Sequence, residues 1–281
     1  MTETPTTEQM VPVSAERHAA RRWRRFSSYA FARNRRHVPV VLGEHEQIAA
    51  NMPLLFHRSA AGLAPVALLR VQPQGDSALV SETGVWRGSY VPSILRVHPF
   101  DARSTGERFE LLIDEGSGLV TEAPEDDPFF DADGNLAPGL ADVVHFFRQR
   151  ATAARRTAEA CAQLQQAGLL RDFPAERGLE GYLTLDRAAL DTASRTQLSA
   201  LHRAGALSLA HAHFVSLSHL GLLAHAEAQA LHQDKTTPAG HAPATAGHED
   251  PMAARASERL SGFLDALADA QDNDPFGSGR N

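Results

Sequence analysis

The sequence predicts an α+β protein, with a mainly antiparallel, β-rich N-terminal half packed with a helical C-terminal half and then a disordered C-terminal tail. Three observations predict it. Between 38 and 113 the apolar runs are short and separated by turn residues. From 138 to 168 apolar residues recur at steps of three and four. Beyond 234 the chain turns to Pro, Ala, Gly, Thr and His, with too little apolar surface to order itself.

Taken in order, residues 1–10 are polar and acidic and are expected to be disordered, and the folded body is expected over 11–233. Residues 11–37 crowd together Arg17, Arg21, Arg22, Arg24, Arg25, Arg33, Arg35 and Arg36, and no apolar run of signal-peptide length follows them. Sec-type export is therefore not expected, and the expected location is cytoplasmic. An opposite block lies at Asp114, Glu115, Glu122, Glu125, Asp126, Asp127, Asp131 and Asp133. Docking of the two blocks on each other is as good an expectation as two external partners.

The β-rich part is placed at 38–135. Apolar runs at 38–42, 54–56, 66–71 and 109–113 are strand-like, and the breaks at Gly62, 73–75, 83–84 and Gly106 suit hairpins in one mainly antiparallel sheet. Residues 44–51 suit a short helix. The helical part is placed at 138–233. Leu140, Val143, Val144, Phe147, Ala151, Ala154, Ala158, Cys161 and Leu164 form one face of a long helix ending at Gly168. A turn over 174–181 and an extended piece at 182–185 follow, then a helix at 195–203 and a longer one from 206 to about 233. In the flexible acidic tail, 234–281, Leu260, Phe263, Leu264 and Leu267 make a weak amphipathic patch. It is a candidate docking peptide for a protein partner, the alternative being a frayed, solvated segment.

Composition sets bounds. With 281 residues, 43% of them apolar, the chain is long enough to bury a substantial core. Its one cysteine, Cys161, excludes an internal disulfide and fits a reducing compartment. Of the net charge of −7, the stretch 234–281 contributes −4, so the body is nearly balanced. Lys235 is the one lysine among 27 lysines and arginines, a bias of a GC-rich genome rather than a sign of arginine chemistry.

The candidate ligand site joins Trp86, Tyr90, Arg96, His98 and Asp114, because aromatic and polar residues near adjacent strands converge readily on one face and orient an anionic or aromatic small molecule. The plainer alternative is a structural ion pair between Arg96 and Asp114, with Tyr90, Val91 and Pro92 setting a loop. His211, His213, His219, His225 and His232 crowd the last helix, but His211 and His213 point about 200° apart and the rest stand six to eight residues apart, so no metal site is expected.

Other motifs argue for absences. The uncharged run 204–226 is long enough to cross a bilayer, yet four histidines and three serines interrupt it, so no membrane span is expected. Asp131, Ala132, Asp133 and Gly134 lack the remaining calcium-loop ligands and read as a turn. Cys161 reads as a core residue, no serine sits in a nucleophile elbow, and Gly116, Ser117 and Gly118 lack the rest of a phosphate loop. No cofactor is expected. The arginine-rich segment with Trp23, Phe26 and Tyr29 has stacking and charge together, but the acidic balance of the whole weighs against a nucleic-acid partner.

A colinear series of segments carries a resemblance. It runs through Val11-Pro12-Val13 with Glu16-Arg17-His18, Tyr29-Ala30-Phe31-Ala32, His37-Val38-Pro39-Val40, Pro53-Leu54-Leu55-Phe56 and Pro65-Val66-Ala67-Leu68-Leu69. It continues through Trp86-Arg87-Gly88-Ser89-Tyr90-Val91-Pro92, Arg96-Val97-His98-Pro99-Phe100, Leu112-Ile113-Asp114-Glu115 and Phe130-Asp131-Ala132-Asp133-Gly134. Gly168-Leu169-Leu170, Leu201-His202-Arg203-Ala204-Gly205-Ala206-Leu207, Ala212-His213 and Leu217 complete it. Over 11–223 the chain thus resembles the bacterial SapC family, named from a surface-layer locus. It departs from the family pattern in a shortened segment over 173–182 and in the long tail.

The family's gene neighbours, halogenase-like flavoproteins and TonB-dependent receptors, imply an accessory role in the uptake or processing of a small molecule. Three readings stay open: an accessory, small-molecule-binding protein; an enzyme in which Arg96 holds an anionic substrate while Asp114 or His98 moves protons; and a surface-layer or export component.

Overall fold

A computed structural model describes residues 10–60, 62–105, 108–174 and 178–236. First come strand β1 (Met10–Pro12), helix α1 (Ala15–His18), strands β2 (Arg22–Trp23) and β3 (His37–Pro39), helix α2 (His45–Ala49), and the hairpin β4 (Leu54–Ser59) and β5 (Gly62–Leu68). Strands β6 (Phe100–Thr105), β7 (Arg108–Asp114), β8 (Val120–Thr121) and β9 (Asp127–Pro128) lead to the long helix α3 (Pro138–Gln166). Strands β10 (Leu170–Asp172) and β11 (Tyr182–Leu185) precede helices α4 (Arg187–Asp191), α5 (Arg195–Arg203), α6 (Ala206–Ser216) and α7 (His219–Thr236).

Antiparallel sheets in the N-terminal half and helices in the C-terminal half make the protein α+β, as the sequence predicts. Met10 already belongs to β1, and α7 continues to Thr236. Residues 1–9 and 237–281, including the amphipathic patch weighed as a docking peptide or a frayed segment, lie outside the described residues.

The described residues form two compact units, each assembled from separate stretches: 10–27 with 94–152, and 28–93 with 153–236. The expected single sheet is instead three sheets, ordered β1-β7-β6, β8-β2-β9 and β10-β11-β4-β5-β3. Two-residue strands such as β2 leave no periodic trace in the sequence, which is why the smaller sheets are missed.

In the first unit, Leu111 and Ile113 point from β7 into a core with Trp23, Phe100, Phe129, Leu140 and Phe146. Full burial of each such side chain contributes about 1.5–3 kcal/mol. The basic and acidic blocks do meet here. Strand β2 lies between β8 and β9, Arg17 binds Glu115 through Nε at 2.7 Å and Nη2 at 2.6 Å, and Arg22 Nη1 donates to the Asp126 carbonyl at 2.9 Å. Asp131 Oδ1 accepts from the N–H groups of Asp133 and Asn135, with Gly134 at φ +80°, so this segment is a closed turn.

In the second unit, strand alternation sorts the five-stranded sheet into two faces. Leu55, Val66 and Leu68 share a core with Leu220 and Leu223 of α7. The residues that alternate with them include Leu54 and Phe56, and α6 serves this other set. Its His213 ring lies 5.4 Å from that of Phe56, and its Ser216 Oγ accepts from Leu54 N at 2.9 Å.

The sequence expectation of one helix over 206–233 is corrected to two. Ser216 Oγ donates to the His213 carbonyl at 2.7 Å and Ser218 Oγ to the Val215 carbonyl at 2.9 Å, back-bonding of the kind that bends helices. The chain bends by 43° there. Among the described residues no single helix is long and apolar enough to cross a membrane, and only this bent pair meets the length and composition together.

Candidate functional site

The expected ligand residues belong to different units. Trp86 and Tyr90, in the second, are brought together: Trp86 is buried, and its Nε1 donates to the Tyr90 carbonyl at 3.0 Å. Gly88 packs so closely that a Cβ there would sit 2.8 Å from that Nε1. Tyr90 Oη donates to Glu44 Oε1 at 3.1 Å, and the fully buried Glu44 also accepts from Ser93 N at 2.5 Å and Ser93 Oγ at 2.8 Å.

Arg96, His98 and Asp114 fall in the first unit. Arg96 lies in the 3₁₀ turn Ser93–Val97, and the half-buried His98 stacks edge-on to Phe26 at 5.8 Å. Asp114 Oδ1 accepts from Gly116 N at 3.0 Å, capping the turn that follows β7. Trp86, Tyr90 and Asp114 thus direct their polar groups to partners within the protein.

A different cluster assembles on the α7 face of the five-stranded sheet. Tyr182, which opens β11, stands in register with His57 on β4, so their side chains share a face. His37 opens β3 opposite Leu68, and its imidazole reaches to 4.6 Å from that of His57, ring centre to ring centre. Arg36 precedes His37, and Arg70 follows β5. They are bound together through the backbone, because the Arg36 carbonyl accepts from Leu69 N at 2.9 Å and from Arg70 N at 3.2 Å.

Tyr182 Oη lies 2.6 Å from His37 Nδ1. Burial pushes the phenol up to about 12, despite the opposing guanidinium charges of Arg36 and Arg70. Burial, then the His57 ring and Arg36, hold His37 down to about 4. The phenol is therefore the donor and Nδ1 the acceptor at neutral pH, which leaves the proton of the imidazole on Nε2. Burial also lowers the pKa of His57, with Arg36 adding to it.

The Arg36 guanidinium lies over the Tyr182 ring at 5.2 Å. Its Nη2 donates to the carbonyls of Val71, at 2.9 Å, and Gly178. Arg70, only 7% exposed, donates from Nη2 to the Pro73 carbonyl at 3.2 Å. The Nε atoms of both arginines are shielded from solvent and donate to no protein group among the described residues. Glu227 of α7, 4% exposed, completes the cluster: its two oxygens accept from Val71 N at 2.7 Å and Gln72 N at 3.1 Å.

Two signals for this cluster are present in the sequence. Arg70 interrupts the apolar run 66–71, and Glu227 stands four residues beyond Leu223 on the apolar stripe of α7. The other members come from strands far apart in the chain. Among the described residues no group of three His, Cys, Asp or Glu is placed to hold a metal ion.

A five-stranded sheet carrying helices on both faces, with arginine, tyrosine and histidine side chains clustered on one of those faces, defines an α+β protein. The chain belongs to the SapC family, whose family model matches residues 13–223. No curated protein and no solved structure matches it.

Proposed function

We propose that this SapC-family protein is an accessory protein that binds a small anion at the Arg36–Arg70 cluster. The observation that carries the reading is the pair of buried guanidinium Nε–H groups without a protein acceptor among the described residues. A buried donor left unpaired costs about 1–3 kcal/mol, and an anion removes that cost while balancing charge.

Magnitudes favour binding over catalysis by the Tyr182–His37 pair. A general acid or base works best with a pKa near the working pH, whereas these groups stand at about 12 and about 4. The pair orients donors rather than exchanging a proton with substrate.

A ligand that binds only the native state raises its melting temperature by mass action. Melting curves at constant ionic strength, with acetate, benzoate, phosphate or sulfate added, test the proposal against neutral sugars and chloride. Stabilisation by anions that is lost in Arg70→Gln supports it. Equal behaviour of anions, sugars and chloride overturns it.

A further inference from the structure

We infer that the anion bound at this cluster is a carboxylate carrying a single negative charge on an apolar or aromatic body, rather than a phosphate or another dianion. The inference rests on the anion-binding reading above and narrows it by charge, donor geometry and surroundings.

The first support is a count of charge. The charged groups that act on Arg70 are Arg36, Glu227 and Asp76, and Asp76 is paired with Arg33 at 2.7 Å. Arg33 and Asp76 cancel. Burial raises the pKa of Glu227, while the N–H groups of Val71 and Gln72 and the guanidiniums of Arg70 and Arg36 pull it back down. Accepting one backbone N–H on each oxygen, it has the pattern of an ionised carboxylate and cancels one of the two remaining guanidinium charges. His37 and His57 have lowered pKa values and Tyr182 a raised one, so all three are uncharged at neutral pH. One positive charge remains among these groups. A monoanion neutralises it, while a dianion leaves an excess negative charge beside the buried Glu227.

Donor geometry agrees. Each free Nε offers one N–H, and the Nη2 atoms of both arginines are engaged by backbone carbonyls. The two Nε–H groups suit the two oxygens of a carboxylate. The surroundings supply the rest. Val71 and Tyr182 belong to the apolar cluster of Leu55, Val66, Leu68 and Leu220, and His57 and Tyr182 add ring faces 5.3 Å apart.

The test is isothermal titration of the full chain at about pH 8, where inorganic phosphate is mainly the dianion, at fixed ionic strength, with benzoate, inorganic phosphate and benzamide. Benzoate is expected to bind about tenfold more tightly than phosphate, and benzamide, with the same shape and no charge, to bind too weakly to measure. Glu227→Gln raises the local charge by one and is expected to narrow the benzoate-over-phosphate preference about threefold. Arg36→Lys keeps the charge but removes one Nε donor. It is expected to weaken benzoate, and it serves in place of Arg70→Gln if that variant fails to fold.

Phosphate binding as tightly as benzoate, or a preference unchanged by Glu227→Gln, overturns the inference and leaves the anion site standing. Benzoate and benzamide binding alike, or no binding by any of the three, overturns the anion site as well.

Discussion

His213 Nδ1 lies 2.7 Å from the carbonyl oxygen of Leu54, while its Nε2 faces Thr184 Oγ1 at 2.9 Å and the N–H of Leu185 at 3.2 Å. A neutral imidazole with its proton on Nδ1 satisfies all three contacts, whereas an imidazolium can still donate to the Leu54 carbonyl and to Thr184 Oγ1 but sets its Nε2–H against the N–H of Leu185. Through this one buried ring, α6 is tied to β4 and β11. Burial accordingly holds His213 down to about 4, against a weaker upward pull from the Leu54 carbonyl.

The consequence is acid sensitivity. As pH falls from about 6.5 to about 4, the unfolded chain takes up a proton on this histidine and the native protein does not. The contribution is therefore complete above about pH 6.5 and is lost through that window, on the order of 3 kcal/mol in all. His37, His45, His57 and His18 are shifted in the same direction by burial and steepen the slope. Urea unfolding at neutral pH and near pH 5 is expected to show a smaller loss in His213→Gln than in the unaltered protein. Equal losses would show that His213 does not carry this linkage.

Two glycines, one just before α6 and one within α7, are expected to respond oppositely to alanine. Gly205 precedes α6 at φ +73°, where a Cβ would also press on Leu42 Cδ1 at 3.3 Å. Gly205→Ala should cost about 1–2 kcal/mol. Gly221 lies within α7, and a Cβ there meets nothing within 4 Å. Gly221→Ala should add up to about 1 kcal/mol through helix propensity. Thermal melts of the two variants check the sign of each change.

The ends of several elements are legible for local reasons. Helix α5 begins at a capping box in which Ser194 and Gln197 satisfy each other's backbone N–H groups, and both residues announce it in the sequence. Strand β11 follows Gly181, whose φ of +84° marks the turn. The break between α6 and α7 is not legible, because Ser216 and Ser218 act through hydroxyl contacts that composition does not reveal. The candidate site is less legible still. Trp86 and Tyr90 are four residues apart and their contact is foreseeable, but His37 and Tyr182 are separated by 145 positions and meet only once the strand order is known.

Cys161 is expected to be inert in the native protein. It is 1% exposed on α3, and burial pushes its thiol up to about 12, so little thiolate forms at neutral pH. A thiol reagent such as DTNB should give no rapid reaction with the folded chain and one equivalent after denaturation. Rapid labelling without unfolding would mean that this stretch of α3 opens readily.

The Tyr182–His37 contact has a direct spectroscopic signature. The chain contains three tyrosines, Tyr29, Tyr90 and Tyr182. A phenol held up to about 12 should remain un-ionised through the range near 10 in which an ordinary tyrosine titrates. Absorbance titration of Tyr182→Phe is therefore expected to lose a late, high-pH step while the earlier part of the curve is unchanged. His37 should report the same contact from the acid side, because its Nδ1 accepts the phenol proton and its ring titrates at about 4. In Tyr182→Phe that acceptor loses its donor, so the neutral ring is no longer favoured by the hydrogen bond and its titration by NMR should move upward. A His37 titration identical in both proteins would show that the two rings are merely neighbours.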